Sequence, residues 1–279
     1  EHDLIGDMSS AMILNDISSD AINNMTDYKL TEYDFTWGRE VKNIDLFIEY
    51  VISKINNDAT TNGKKIYAMI YTDIFDYGIT YEYKNYQLNH NHQIISANAP
   101  IVFRESNSPL ISGNAHVINW NDESGHQIEI NKKFSDRLNI QTNTSFSFKH
   151  PTENSSKIGL IDILKMDGET DIYHQNPFRQ SYLGASGWIA KDNIYYKIGI
   201  DKFDDFKMTG NYPSSVSAFT IPSIFTIKLS EYNSATIYAE YQKRKEINYI
   251  TEEDITKIDR IDNFVDNYFS VTYNYQSVI

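Results

Sequence analysis

The segment RLNIQTNTSFSFK at 137–149 separates into two sets when every second residue is read. Leu138, Ile140, Thr142, Thr144, Phe146 and Phe148 form one set; Asn139, Gln141, Asn143, Ser145, Ser147 and Lys149 form the other. An extended strand sends alternate side chains to opposite faces, so this strand has one largely apolar face and one wholly polar face. Similar alternation recurs at 29–37, 44–53, 77–86, 124–134, 179–190, 193–203, 218–229, 235–244 and 263–275, and 65–73 is β-rich with a mixed pattern. That makes about eleven strands, and the first 28 residues have room for one more. A soluble sheet would turn the apolar face to a core; a membrane barrel would turn it to lipid and the polar face to a wet lumen.

The connections favour the second arrangement. Those at 38–43, 74–76, 135–136, 191–192 and 230–234 are short, and those at 56–64, 87–123, 150–178, 204–217 and 245–262 are long. Short and long alternate along the chain. In an up-and-down meander alternate connections lie at the same end, so one rim carries tight turns and the other long loops, as in outer-membrane barrels. Most segments have the roughly 9–11 residues that a tilted membrane strand needs, and Tyr and Phe near their ends suit interfacial girdles. The expected fold is a single all-β domain over 1–279, an antiparallel up-and-down transmembrane β-barrel of about twelve strands. Leu138, Ile140, Phe146 and Phe148 then face lipid. Glu82, Lys84, Glu129, Lys133, Asn139, Gln141, Asn143, Lys197, Asp201 and Glu240 line the lumen, with Ser145, Ser147, Lys149 and Gln242. Both signs occur among them, so this reading implies no strong ion selectivity.

Composition removes other classes. No cysteine is present, which excludes disulfides, thiolate zinc sites and thiol catalysis. The formal charge is −13 and no basic run exceeds Lys243-Arg244-Lys245, so a nucleic-acid partner is not expected. No stretch of about 18 apolar residues suggests a membrane helix, which leaves strands as the only way across. Glu1 and the non-aromatic end YQSVI lead us to expect a mature form or a fragment, truncated at one or both ends.

The stretch NWNDESGHQIEINKKFSDRL at 119–138, together with YGITYEYKNY at 77–86, resembles an uncharacterised family of Gram-negative outer-membrane β-barrels, a domain of unknown function. The resemblance spans 28–275 loosely. It implies an outer-membrane location and a barrel larger than this chain, and it carries over no functional residue.

The remaining candidates are weak. His90, His92 and His116 share one long connection and suit a metal, but exposed loop histidines are the simpler reading. Asn121-Asp122-Glu123 and Asp167-Gly168-Glu169 with Asp171 read as turns rather than calcium loops. Glu252-Glu253-Asp254 reads as a solvated tip, with divalent ions on lipopolysaccharide as the sharper alternative. The segment 158–166, IGLIDILKM, suggests a short loop helix or a plug. No nucleophile elbow, phosphate loop or zinc-helix motif appears, so no catalytic residue, metal or cofactor is expected. The sequence thus points to a non-enzymatic outer-membrane barrel, a channel or transport component. Its expected partners are outer-membrane lipid, lipopolysaccharide and the barrel-assembly machinery. The alternatives are a secreted all-β carbohydrate-binding protein or glycosidase, and an adhesion or structural barrel acting through its loops.

Overall fold

The computed structural model describes residues 2–3, 29–55, 63–88, 108–113, 116, 122–150, 176–209, 212–252 and 255–275. It is one antiparallel sheet in strict sequence order. After a two-residue strand β1 (His2–Asp3) come eleven long strands: β2 (Lys29–Val41), β3 (Ile44–Ile55), β4 (Gly63–Ile74), β5 (Tyr77–Leu88), β6 (Asp122–Ser135), β7 (Leu138–Phe148), β8 (Phe178–Ile189), β9 (Ile194–Thr209), β10 (Tyr212–Lys228), β11 (Asn233–Glu252) and β12 (Ile255–Tyr275). The only described helix is α1, a single turn at Pro109–Ser112. All eleven segments picked out by alternation are strands. The five short connections are tight turns at one rim. Phe75 and Asp76, with φ of 52° and 58°, make the left-handed pair of a two-residue hairpin whose twist matches its strands.

Two of the expected long loops are largely strand instead. Residues 204–209 and 212–217 extend β9 and β10, and 245–252 and 255–262 extend β11 and β12, as paired strand ends; 210–211 lie outside the described residues. Their sequences, such as DDFKMT at 204–209 and KEINY at 245–249, are too polar to read as half-buried strands. The backbone ladder forms regardless, because each strand needs only its hairpin neighbour. Arg244 pairs with Glu246 and Asp266, and Arg260 with Asp262, so the inward arginines are met locally. Asp122 and Glu123, read as a turn, open β6. The segments 56–62, 151–175 and Glu253-Asp254 lie outside the described residues, as do the first residues beyond the two-residue strand.

Pairing register fixes the two faces. One chain of cross-strand partners runs Glu49, Tyr67, Lys84, Gly125 and Ser147. On β7 this face holds Asn139, Gln141, Asn143, Ser145 and Ser147, as the alternation requires. It is the buried face: Lys84, Asn143, Ser145, Asp201 and Gln242 are each 2 % exposed or less. The other face carries Phe35, Trp37, Ile48, Ile70, Ile128, Leu183, Ile200, Phe219 and Phe269, all exposed. Among the described residues, buried polar and charged side chains outnumber buried apolar ones, and nothing covers the apolar face.

Burial of the polar face follows from curvature. The His116 ring meets Asp205 on β9 through Nδ1 at 3.1 Å and Glu123 on β6 through Nε2 at 3.4 Å. These strands are three steps apart, about 14 Å around a sheet at the usual spacing, so the sheet curls to bring its polar side chains together around one ring. The sheet does not close: among the described residues β12 pairs only with β11, and β2 pairs outward only with β1.

Candidate functional site

The concave face holds the chain's unusual chemistry. All ten residues expected to line a lumen share it by register, although they differ in depth. Lys84, Asn143, Asp201 and Glu240 are buried; Glu82, Glu129, Asn139, Gln141 and Lys197 are half-buried; Lys133 is exposed at the short-turn rim, where it pairs with Asp136 at 2.8 Å. Register also assigns this face Glu32, Asp34, Glu40, Asp45, Glu49, Asp73, Glu123, Asp205, Glu246, Asp262 and Asp266, against Lys65, Arg244 and Arg260. The face is therefore acid-rich. Sequence reasoning saw both signs in a shorter set and missed the excess.

Local pairs bind the wall together. Lys65 Nζ lies 3.3 Å from Glu32, the Tyr67 hydroxyl donates to Glu82 at 2.6 Å, and Gln180 donates to Asp201 at 2.9 Å. Gly184 and Gly199, cross-strand partners on β8 and β9, leave room for the Tyr182 ring to lie flat against the wall. A Cβ at either position would overlap that ring.

Residues 108–113 and His116 lie on this face and are held at two points. At β11, Glu240 accepts from the Ser108 hydroxyl at 2.8 Å and from the Leu110 amide at 3.0 Å. Ser108 also caps α1, accepting from the Ile111 amide at 3.3 Å, and Pro109 suits the first helical position because its missing N–H is not needed there. Gln242 donates to the Leu110 carbonyl at 3.0 Å and to Thr220 at 2.8 Å.

The second point is His116. Its ring stacks on Phe178 with centroids 4.2 Å apart, over the small apolar cluster of Phe178, Phe203 and Ala218. Its Nδ1 is 3.1 Å from Asp205 and its Nε2 is 3.4 Å from Glu123, with the Ser147 hydroxyl 3.3 Å away. Lys84 Nζ lies 2.7 Å from Glu123. Both ring nitrogens donate only in the imidazolium form. Burial opposes that charge, but the hydrogen bonds to Asp205 and Glu123 outweigh it and hold the His116 pKa above its ordinary value.

This corrects the reading of His116 as an exposed loop residue: it is buried in an ionic cluster. Nor is the cluster arranged as a metal site. The two nitrogens point to different carboxylates, and the Lys84 ammonium already sits on one of them. His90 and His92 lie outside the described residues, as do Asn121, Asp167, Gly168, Glu169, Asp171 and the helix expected at 158–166. Asp122 has a local role: it accepts from the His150 ring at 2.6 Å and from the His150 amide at 3.1 Å.

Comparison with protein-family models, curated proteins and solved structures finds no match to this chain.

Proposed function

We propose that the chain is a membrane-spanning β-barrel of a Gram-negative outer membrane. It acts without catalysis as a channel or transport component for small polar cations. The observation that carries this reading is the inversion of the sheet: polar and ionic side chains are packed inward, while large apolar side chains stand uncovered on the outside. In water that outer face would forfeit most of the hydrophobic driving force and would form an exposed apolar surface far larger than monomers tolerate. In lipid it is the expected lining. The edge strands β2 and β12 run in the same direction, so antiparallel closure takes one more strand between them, on the side of β2 that β1 already occupies; the outward residues Tyr33, Phe35 and Trp37, and Val265, Phe269 and Val271, carry the apolar face up to that seam. The acid-rich wall supplies cation preference, and residues 108–113 with His116 narrow the path.

The test is to export the chain behind a signal peptide, fractionate the envelope and compare gel mobility before and after boiling in detergent. The reading expects recovery in the outer membrane with a heat-dependent shift, and cation-selective conductance across a potassium chloride gradient. A monodisperse periplasmic protein that unfolds sharply in plain buffer would sink it. The secreted sugar-binding alternative would then take its place, since it needs the apolar faces paired in a dry core.

A further inference from the structure

The acid-rich concave face has an opposite on the outside of β9–β12. Cross-strand partners there form a row of Lys202, Phe219, Lys243 and Val265, and the next row is Asp204, Ser217, Lys245 and Asn263. All of these except Asp204 line a cavity of about 310 Å³, together with Arg244 and Phe264. Lys202 donates to the Ser217 hydroxyl and to Asp204 at 3.0 Å. Asp204 also accepts from Arg179 at 2.8 Å, so one carboxylate serves two cations. Lys243 and Lys245 are exposed, and no carboxylate among the described residues pairs with them. In a chain of net charge −13 this is a local reversal of sign.

Position gives the patch its meaning. Toward the short-turn rim the next row on this face is Leu183, Ile200, Ile221 and Tyr241, all apolar or amphipathic. The cations therefore begin where the apolar rows of β8–β11 end. Successive same-face residues on a strand are about 6.6 Å apart and strands about 4.8 Å. Three lysine stems rooted across this grid can bring their ammoniums together over Phe219 and Ser217.

We propose that this outer face binds the phosphate group of an anionic membrane lipid. Lys202, Lys243 and Lys245 meet the phosphate, and Phe219 and Val265 receive the first acyl segment. The proposal rests on the membrane reading above, because only a lipid offers both a phosphate and a chain at this boundary. Lysine acts here as a point charge toward phosphate.

The experiment uses the detergent-folded protein and native mass spectrometry. The probes are diphosphorylated lipid A, the same lipid with its phosphates removed, and inorganic phosphate. The wild-type protein should retain the diphosphorylated lipid and not the dephosphorylated one, and millimolar inorganic phosphate should not displace it. The triple variant Lys202→Gln/Lys243→Gln/Lys245→Gln should lose retention by about tenfold or more, with its heat-dependent mobility shift intact. Lys132→Gln removes an outward cation near the opposite rim, where Lys132 Nζ donates to the Phe75 carbonyl, and should retain lipid like the wild type. Equal retention by the triple variant, or displacement by inorganic phosphate, overturns the lipid site while the barrel stands. A chain that stays monodisperse without detergent overturns both.

Discussion

Replacing Leu183 by Arg tests the medium around the sheet directly. Leu183 is 49 % exposed on the outer face and sits between Thr142 and Ile200 on the neighbouring strands. Ile189, at the short-turn end of the same strand, is 43 % exposed. Six residues separate them, about 20 Å along the strand. At a tilt of about 40° that is about 15 Å along the membrane normal, roughly half of a ~25 Å apolar band. Leu183 is thus a few ångströms past the midplane, one row below the lysines whose long stems reach up to the far interface, and Ile189 is near the short-turn interface. An arginine costs about 2–4 kcal/mol at the midplane and about 0–1 near the interface. In water both substitutions lie on an open surface and cost about 0.5 kcal/mol or less. The assay is reversible urea unfolding in phospholipid vesicles, read by the mobility shift. We expect Leu183→Arg to be about 2–3 kcal/mol less stable than Ile189→Arg, a difference of roughly 30- to 150-fold in the folding constant. Equal costs at the two positions, within about 0.5 kcal/mol, would refute the reasoning, because depth would then have no meaning.

Three further outcomes follow from the concave face. The raised pKa of His116 means that the charged latch is fully present below its ordinary value of about 6.5 and is lost as pH rises through the higher folded value. The protection factors of the amides in 108–113, taken relative to intrinsic exchange at each pH, should therefore fall above neutral pH, and His116→Gln should abolish that dependence; protection factors that stay flat in the wild type from pH 6 to 9 contradict the latch. Lys84→Met should destabilise by about 3–5 kcal/mol by leaving Glu123 with one cation fewer in a buried site, and Lys84→Met/Glu123→Met should recover most of this in urea titrations. Gly199→Val places a side chain inside the Tyr182 ring and should cost more than about 2 kcal/mol, with Tyr182→Ala in the same chain relieving it; no relief would mean that the ring is not the obstacle.

The strands and their faces were legible because period two is a local property. The sets read at 137–149 are the two faces of β7, and Lys84, Asn143, Asp201 and Glu240 lie on the inward side that alternation assigns them. The ends of β9–β12 were not legible, because strands that run beyond an apolar band have no reason to alternate. The site was less readable still. His116 meets Asp205 across 89 positions and Ser108 meets Glu240 across 132, and neither contact leaves a periodic trace. Gly125 offers one faint signal. It interrupts a charged inward row at the place where a side chain would strike Lys84, which the backbone needs clear for the Lys84–Glu123 pair.

The latch and the open edges bear on the same question. Buried ions such as Lys84, Glu123, His116 and Asp205 cost free energy to desolvate, and they are retained only when geometry and further hydrogen bonds compensate. A sheet that placed them at its centre in water would lack an apolar core to offset that cost, since Phe178, Phe203 and Ala218 are the only buried apolar cluster among the described residues. On the membrane reading the driving force comes from the outer face, which gains when its surroundings are apolar. Lipid also makes an unpaired backbone edge expensive, because no water reaches its N–H and C=O groups. On the membrane reading the edges of β2 and β12 therefore need a partner, and because the two run in the same direction that partner is a strand antiparallel to both, with the same inward-polar, outward-apolar alternation.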